Sequence, residues 1–199
     1  MVKILKAEKA HVFLLEISKK KQHDSFHKFM QTADIISIES RLDESLSLKF
    51  FLIKTIISQQ VSVKAAESIW LKVKTVLSNS PNNISLDLLR QQGLSTPKAS
   101  YVQGIILDKK IQSLDKTSLK KLSDEDLSNL FLGIKGVGPW TLGIIRMFYI
   151  QDSNIFLKGD LAINKALGNF FNSVTFSGED YSPYQTYLCL YLWRSLKLS

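Results

Sequence analysis

Apolar residues recur along most of this chain at three- and four-residue spacing, the pattern of one-sided helices. Phe50, Ile53, Ile57 and Val61 make one such stripe, and Ala65/Ala66, Ile69, Val73 and Val76/Leu77 make the next. Ser123 followed by Asp126 resembles a capping box with Asp in place of Glu, opening a helix that carries Leu127, Leu130 and Phe131. From Trp140 to Ile150 the chain reads as an apolar helix in which only Arg146 is charged. Tyr184 to Leu196 is apolar nearly all round, which predicts a buried final helix. Breaks fall at Asn79–Asn83 around Pro81, at Gly93–Pro97, at Gln151–Asn154 and at Ser177–Pro183. In residues 1–15, Val2, Ile4 and Val12–Leu15 predict a short strand or a plain apolar arm. No internal repeat or low-complexity tract interrupts the series, and the expected fold class is all-α.

Composition narrows the setting. A chain of 199 residues suffices for one domain or two small lobes with a proper core. Its 45% hydrophobic and 22% charged content is that of a globular protein. No apolar run is long enough to span a bilayer, so no membrane partner is expected. The short run Val12–Leu15 meets Glu16 with no small-residue cleavage site after it, so an intracellular location is expected, in cytoplasm and nucleoid or in a nucleus. The single cysteine, Cys189, excludes an internal disulfide and a four-cysteine iron–sulfur cluster. Between Leu188 and Leu190 it reads as a buried, inert thiol. His23 and His27 stand four residues apart, a metal-ligand spacing, yet no Glu lies between them and no third ligand is near. No metal site is expected. The net charge of +8 suits a polyanionic partner, although it is spread over Lys19–Lys21, Lys109–Lys110 and Lys120–Lys121 rather than gathered in one block.

Chemistry concentrates between Leu132 and Leu167. Ile134 and Val137 anchor either side of Gly136, and Gly138 and Pro139 follow at once. Glycines at 136 and 138 permit positive φ and leave backbone amides unshielded, while Pro139 suits the first turn of a helix. The segment therefore reads helix, tight hairpin, helix, with amides aimed at an anion; in a basic protein a DNA phosphate is the fitting one. Downstream, Asp160 is a lone carboxylate in an apolar and basic stretch.

These residues resemble the helix-hairpin-helix, Gly/Pro-rich loop and Asp signature of a DNA glycosylase superfamily, and most nearly its 3-methyladenine DNA glycosylase II branch. Three further blocks agree, in the family's order. Ile56-Ile57-Ser58-Gln59-Gln60-Val61-Ser62 with Ala65-Ala66 resembles its Gln-Gln-x-Ser block. Gly93-Leu94-Ser95 with Lys98-Ala99 and Tyr101 resembles its Gly-x-Ser-x-x-Lys-Ala block, and Ser182-Pro183-Tyr184 through Leu192-Trp193-Arg194 its C-terminal helix. The resemblance spans residues 48–196 and implies a single two-lobed glycosylase domain over 1–199. It places a central helical lobe at about 48–150 and a second lobe at about 1–47 plus 151–199, with a cleft between them. Too few residues precede the Gln-Gln block for the extra mixed α/β domain of long members.

The resemblance also implies roles. Asp160 matches the catalytic Asp; from its position alone it would equally cap the helix Leu161–Phe171. Trp140 stands where bifunctional members carry a Schiff-base lysine, so the implied chemistry is plain hydrolysis that leaves an abasic site. Trp193 matches the pocket tryptophan and Trp140 is the second aromatic, while Tyr184, Tyr187 and Tyr191 read as core. Electron-rich indoles suit a cationic alkylated purine. Gln60 matches the residue that fills the gap left by a flipped base, or else caps the helix starting near Ser62. Lys135, Gly136, Gly138 and Thr141 are expected to meet the DNA backbone, and the hairpin carbonyls could take a monovalent cation. Ile144 departs from the branch, which often has an aromatic there. The expected function is monofunctional excision of alkylated bases, of 3-methyladenine type and extending to hypoxanthine or ethenoadenine, from duplex DNA by a monomer with no cofactor. A non-catalytic helix-hairpin-helix binding module and a glycosylase for another lesion class are the competing readings.

Overall fold

The computed structural model describes residues 2–38, 46–79, 84–171 and 176–196. In chain order the helices are α1 (Val2–Lys20), α2 (Asp24–Thr32), α3 (Leu48–Ser58), α4 (Val63–Asn79), α5 (Leu86–Gln91), α6 (Thr96–Leu107), α7 (Lys109–Ser113), α8 (Lys116–Leu119), α9 (Asp124–Leu132), α10 (Pro139–Ile144), α11 (Leu161–Phe170) and α12 (Gln185–Ser195). A π-helical run, Ile145–Ile150, continues α10, and a 3₁₀ turn, Gly178–Tyr181, precedes α12. Among the described residues there is no strand, and the fold is all-α. No described helix is long and apolar enough to cross a membrane. Of the expected break at Asn79–Asn83, Asn79 ends α4 and the rest lies outside the described residues. Contacts divide the chain into two compact units, residues 1–42 with 143–199, and residues 43–142. The division falls inside α10.

The second unit is organised on α3. Leu48, Leu52, Ile53, Ile56 and Ile57 are all buried, so this helix is covered on several faces, and it packs against α4, α6 and α7. Its expected stripe ends early. Gln59 turns extended (φ −61°, ψ 131°), so Val61 leaves the helical path and is 40% exposed. The next helix starts where Ser62 Oγ accepts the amide of Ala65 at 3.2 Å. Ser123 caps α9 by accepting the Asp126 amide at 3.1 Å, while its own hydroxyl donates to the Asp126 carboxylate at 2.6 Å.

In the first unit the N-terminal segment corrects the expectation of a strand or arm: it is a helix. Ala7, Ala10 and Leu14 are buried at three- and four-residue spacing, and the stretch is rich in the strong helix formers Ala, Leu, Lys and Glu. α1 packs on α2 and α12. Residues Gln185–Leu192 of α12 are buried, as its all-round apolar character predicts.

Tyr181, Tyr187 and Tyr191 are fully buried, and a buried phenol usually finds a partner for its hydroxyl, as Tyr191 and Tyr181 do. Tyr191 Oη meets His11 Nδ1 at 2.6 Å and accepts the Ile36 amide at 3.3 Å. Tyr181 Oη meets His23 Nδ1 at 2.7 Å. His27 Nδ1 meets Ser18 Oγ at 3.0 Å, so His23 and His27 serve different partners. Burial holds the pKa values of His11 and His23 below that of a free imidazole.

The expected continuous helix from Trp140 to Ile150 is α-helical only to Ile144 and then widens. Arg146 O accepts the amides of Gln151 and, at 2.9 Å, Asp152, and Gln151 closes the run in the left-handed region at φ 66°. The wide turn lets the Arg146 guanidinium reach Asp152 at 2.7 Å.

Candidate functional site

The hairpin of the second unit is held from behind. Val137 is buried, its amide donates to Ile134 O at 3.0 Å, and Leu142 N donates to Gly138 O at 2.9 Å to start α10. Gly136 sits at φ +89°, a conformation that favours glycine. A Cβ there would come within 2.5 Å of Tyr101 Cδ2 and 2.9 Å of Ile56 Cδ1. Gly138 is different: it does not use the left-handed region, and a Cβ on it would meet nothing within 4 Å. One glycine is demanded by packing, and the other keeps a surface bare.

A second brace comes from the end of α3. Gln59 Nε2 donates to Gly136 O at 3.1 Å and to Thr141 Oγ1 at 3.0 Å, across the hairpin. Gln59 is itself pinned, because Lys98 Nζ donates to Ile57 O at 2.8 Å and Gln59 O at 2.5 Å. An ammonium on the last carbonyls of a helix also complements its dipole. Burial lowers the pKa of Lys98. Gln60 follows at φ 56°, exposed at the tip of the turn, in a conformation uncommon for a residue with a side chain. Gln59, Gln60, Ser95 and Lys98 line a groove of about 260 Å³.

In the first unit, Gly159 at φ 82° closes a short turn in which the amide of Lys158 donates to Phe156 O (3.0 Å) and that of Asp160 to Leu157 O (3.3 Å). The turn delivers Asp160 to the N-terminus of α11, where Oδ1 accepts the Ile163 amide at 2.9 Å. The same oxygen accepts the indole N–H of Trp193 at 3.1 Å. Asp160 is half-buried, and the next residue, Leu161, is 86% exposed. Cys189 lies nearby in the sequence of α12 with its thiol buried against Ile155 O, and burial pushes its pKa up to about 12. It is the inert thiol that its neighbours predict.

The predicted residues therefore fall into sets. Asp160 and Trp193 meet in the first unit; Gln60, Lys135, Gly136, Gly138, Trp140 and Thr141 belong to the second. Lys135 is exposed, whereas Thr141 is 3% exposed and its hydroxyl takes the Gln59 amide. Asp160 does cap α11, and Gln60 does not need to cap α4 because Ser62 does. Three residues went unassigned in the sequence reading: Gln59, Lys98 and Tyr101. Each stood inside a quoted block, but its role is a long-range hydrogen bond or a packing contact, which local spacing does not encode.

No family model matches the chain. Schizosaccharomyces pombe DNA-3-methyladenine glycosylase 1 is 26% identical over 165 residues, 74% of this chain and 72% of that protein. Bacillus subtilis YfjP is 29% identical over 93 residues, 43% of this chain but only 32% of its own length. Among solved structures, S. pombe 3-methyladenine DNA glycosylase Mag1 in complex with abasic DNA superposes with a TM-score of 0.78 at 22% identity, covering 96% of this chain and 98% of that one. At that identity the structural likeness is one of fold, that of the helical DNA glycosylases. In sequence the chain is thus similar to proteins named DNA-3-methyladenine glycosylases, and in fold to the helical DNA glycosylases.

Proposed function

We propose that this protein is a monofunctional DNA glycosylase that hydrolyses the N-glycosidic bond of alkylated bases, of 3-methyladenine type, in duplex DNA. The observation that carries the reading is Asp160: one carboxylate, fixed on Oδ1 by a helix amide and an indole N–H. Breaking the glycosidic bond builds positive charge on the sugar, and a preorganised carboxylate stabilises that charge without reorienting. The same group orients or deprotonates the attacking water. Trp140 stands where a lyase would need an amine, so hydrolysis ends at an abasic site with the strand intact.

In this reading Trp193 and Trp140 provide aromatic faces for the extruded base, and Gln60 at its exposed turn fills the space the base leaves. Lys135 and the bare backbone at Gly138 take phosphate, with Gly136 and Thr141 shaping the hairpin. The protein works as an intracellular monomer without a cofactor. A monovalent cation at the hairpin would share carbonyls that already accept N–H donors, since Ile134 O, Gly136 O and Gly138 O each have one.

The test is a panel of duplexes, each with one lesion, together with bulk methylated DNA. Release of free base with no strand break supports the proposal, and the lesions released set its range to hypoxanthine, ethenoadenine or neither. Binding without release over long incubation would show a non-catalytic module instead. Release confined to oxidised or mismatched bases would move the protein to another lesion class.

A further inference from the structure

The Trp193 indole is engaged on its edge and on a face. Its Nε1–H donates to Asp160 Oδ1 at 3.1 Å. The Phe148 ring lies nearly parallel to it, at 15° with centroids 6.2 Å apart. Behind it Leu192 and Tyr191 are fully buried, so the backbone that carries Trp193 is anchored in the core of the first unit. Phe148 comes from the π-helical run Ile145–Ile150, whose wider turn sets the direction of its side chains differently from a plain α-helix.

Two donors of different origin thus converge on a single carboxylate oxygen. The Ile163 amide belongs to the helix that Asp160 caps, and the indole N–H belongs to the last helix of the chain. A cap bond alone leaves a carboxylate free to rock about its Cβ–Cγ axis, because sp³–sp² torsions are broad. A second donor on the same oxygen from another direction fixes the plane. Hydrogen bonds from N–H to an ionised acceptor are also the stronger kind.

We infer that Trp193 is a positioning residue for Asp160: its indole N–H, backed by Phe148, fixes the plane of the carboxylate that faces the reacting sugar. This rests on the glycosylase reading and goes beyond it, since an aromatic wall needs only the face of the indole and would work without the N–H. Charge stabilisation falls steeply when a fixed group is misaligned, so the cost of losing the bond appears in the chemical step and not in binding.

The experiment measures single-turnover base release at saturating enzyme, with half-saturation for lesion DNA read separately. Trp193→Phe removes the N–H and keeps an aromatic ring. A second variant carries 3-benzothienylalanine at position 193, introduced site-specifically, which keeps the bicyclic shape and lacks the N–H. Both are expected to lose about tenfold in the chemical rate, with half-saturation unchanged. In an Asp160→Asn background neither is expected to lower the residual rate further. A benzothienyl variant as fast as wild type, a rise in half-saturation with the rate kept, or a further loss in the Asp160→Asn background would overturn the inference. Wild-type protein that releases no base from any duplex overturns the enzymatic reading and this inference together. An active wild type with equally active variants overturns the inference alone.

Discussion

Substituting the two hairpin glycines by alanine separates what holds the hairpin from what the hairpin touches. At Gly136 the methyl would enter at 2.5 Å from Tyr101 Cδ2, 2.8 Å from Cγ of the same ring and 2.9 Å from Ile56 Cδ1. Neither neighbour yields cheaply: Cγ is the root of a ring, and Ile56 is fully buried on α3. Left-handed backbone costs an L-residue about 1–2 kcal/mol, and overpacking a filled site about 1–3 kcal/mol more. The sum, about 2–5 kcal/mol, corresponds to a melting temperature lowered by roughly 4–20 °C in a chain of this size. At Gly138 the methyl meets nothing within 4 Å, and losing a glycine from the unfolded chain is worth about 0.4–1 kcal/mol in favour of folding. Gly138→Ala is therefore expected to melt at or slightly above wild type. Its effect lies in binding: a methyl on the bare face weakens affinity for all duplexes alike, without changing which lesion is preferred. The assays are thermal melting by circular dichroism and fluorescence anisotropy with matched and lesion duplexes. If Gly136→Ala melts like wild type, or if Gly138→Ala loses as much stability as Gly136→Ala, the packing argument is refuted. If Gly138→Ala binds DNA normally, the phosphate contact is refuted.

Asp160→Asn keeps the helix cap, since Asn and Asp serve that position equally, and removes the charge; base release is expected to fall at least about a hundredfold with the melting temperature little changed. Normal excision by this variant would remove Asp160 from the chemistry. Lys98→Met deletes two hydrogen bonds to the end of α3 and is expected to cost about 1–3 kcal/mol, read as a drop in melting temperature; an unchanged melt would show that the ammonium is dispensable. Burial depresses the pKa values of His11 and His23 below the unfolded value of 6.5, so folding favours their neutral form. Their contribution is fully present above about pH 6.5, and it is lost as pH falls through their lowered folded values, where the unfolded chain binds more protons. The melting temperature should therefore fall as the pH drops below about 6.5, with a flatter profile in His11→Gln; a wild-type profile as flat as the variant's would contradict this. Cys189 should resist thiol reagents at neutral pH until the protein is unfolded, and rapid labelling of the native state would show that its burial is breached.

The helical class was legible because the chain repeats its apolar spacing, and the final helix because eight consecutive residues there are buried whatever their face. The N-terminal helix is hard to read because two of its buried residues, Ala7 and Ala10, are small and do not stand out as hydrophobic. Val61 was misread because a stripe tells which residues share a face only while the helix continues, and Gln59 ends it. The π-helical run left no local trace. It is marked by a pair of amides on Arg146 O and by the ion pair to Asp152 that the wide turn permits, both decided by how the chain turns after Ile150.

At the candidate site, residues whose chemistry is intrinsic were visible and residues whose role is relational were not. A lone Asp after a Gly-Pro hairpin is conspicuous, and its two readings turn out to be one arrangement: the bond that caps α11 also holds the carboxylate still. Gln59 and Lys98 are ordinary polar residues until Lys98 closes the end of α3 and Gln59 reaches the hairpin from there. The same holds for the glycines. Both permit positive φ in principle, yet only Gly136 uses it, and there the Tyr101 ring also occupies the volume a side chain would need. At Gly138 a Cβ would meet nothing within 4 Å, but the same is true at Gly104, Gly159 and Gly168, so open space alone assigns it no role. The fold's own requirement lies at 136, while the phosphate contact proposed at 138 rests on its place in the hairpin and is decided by the binding assay.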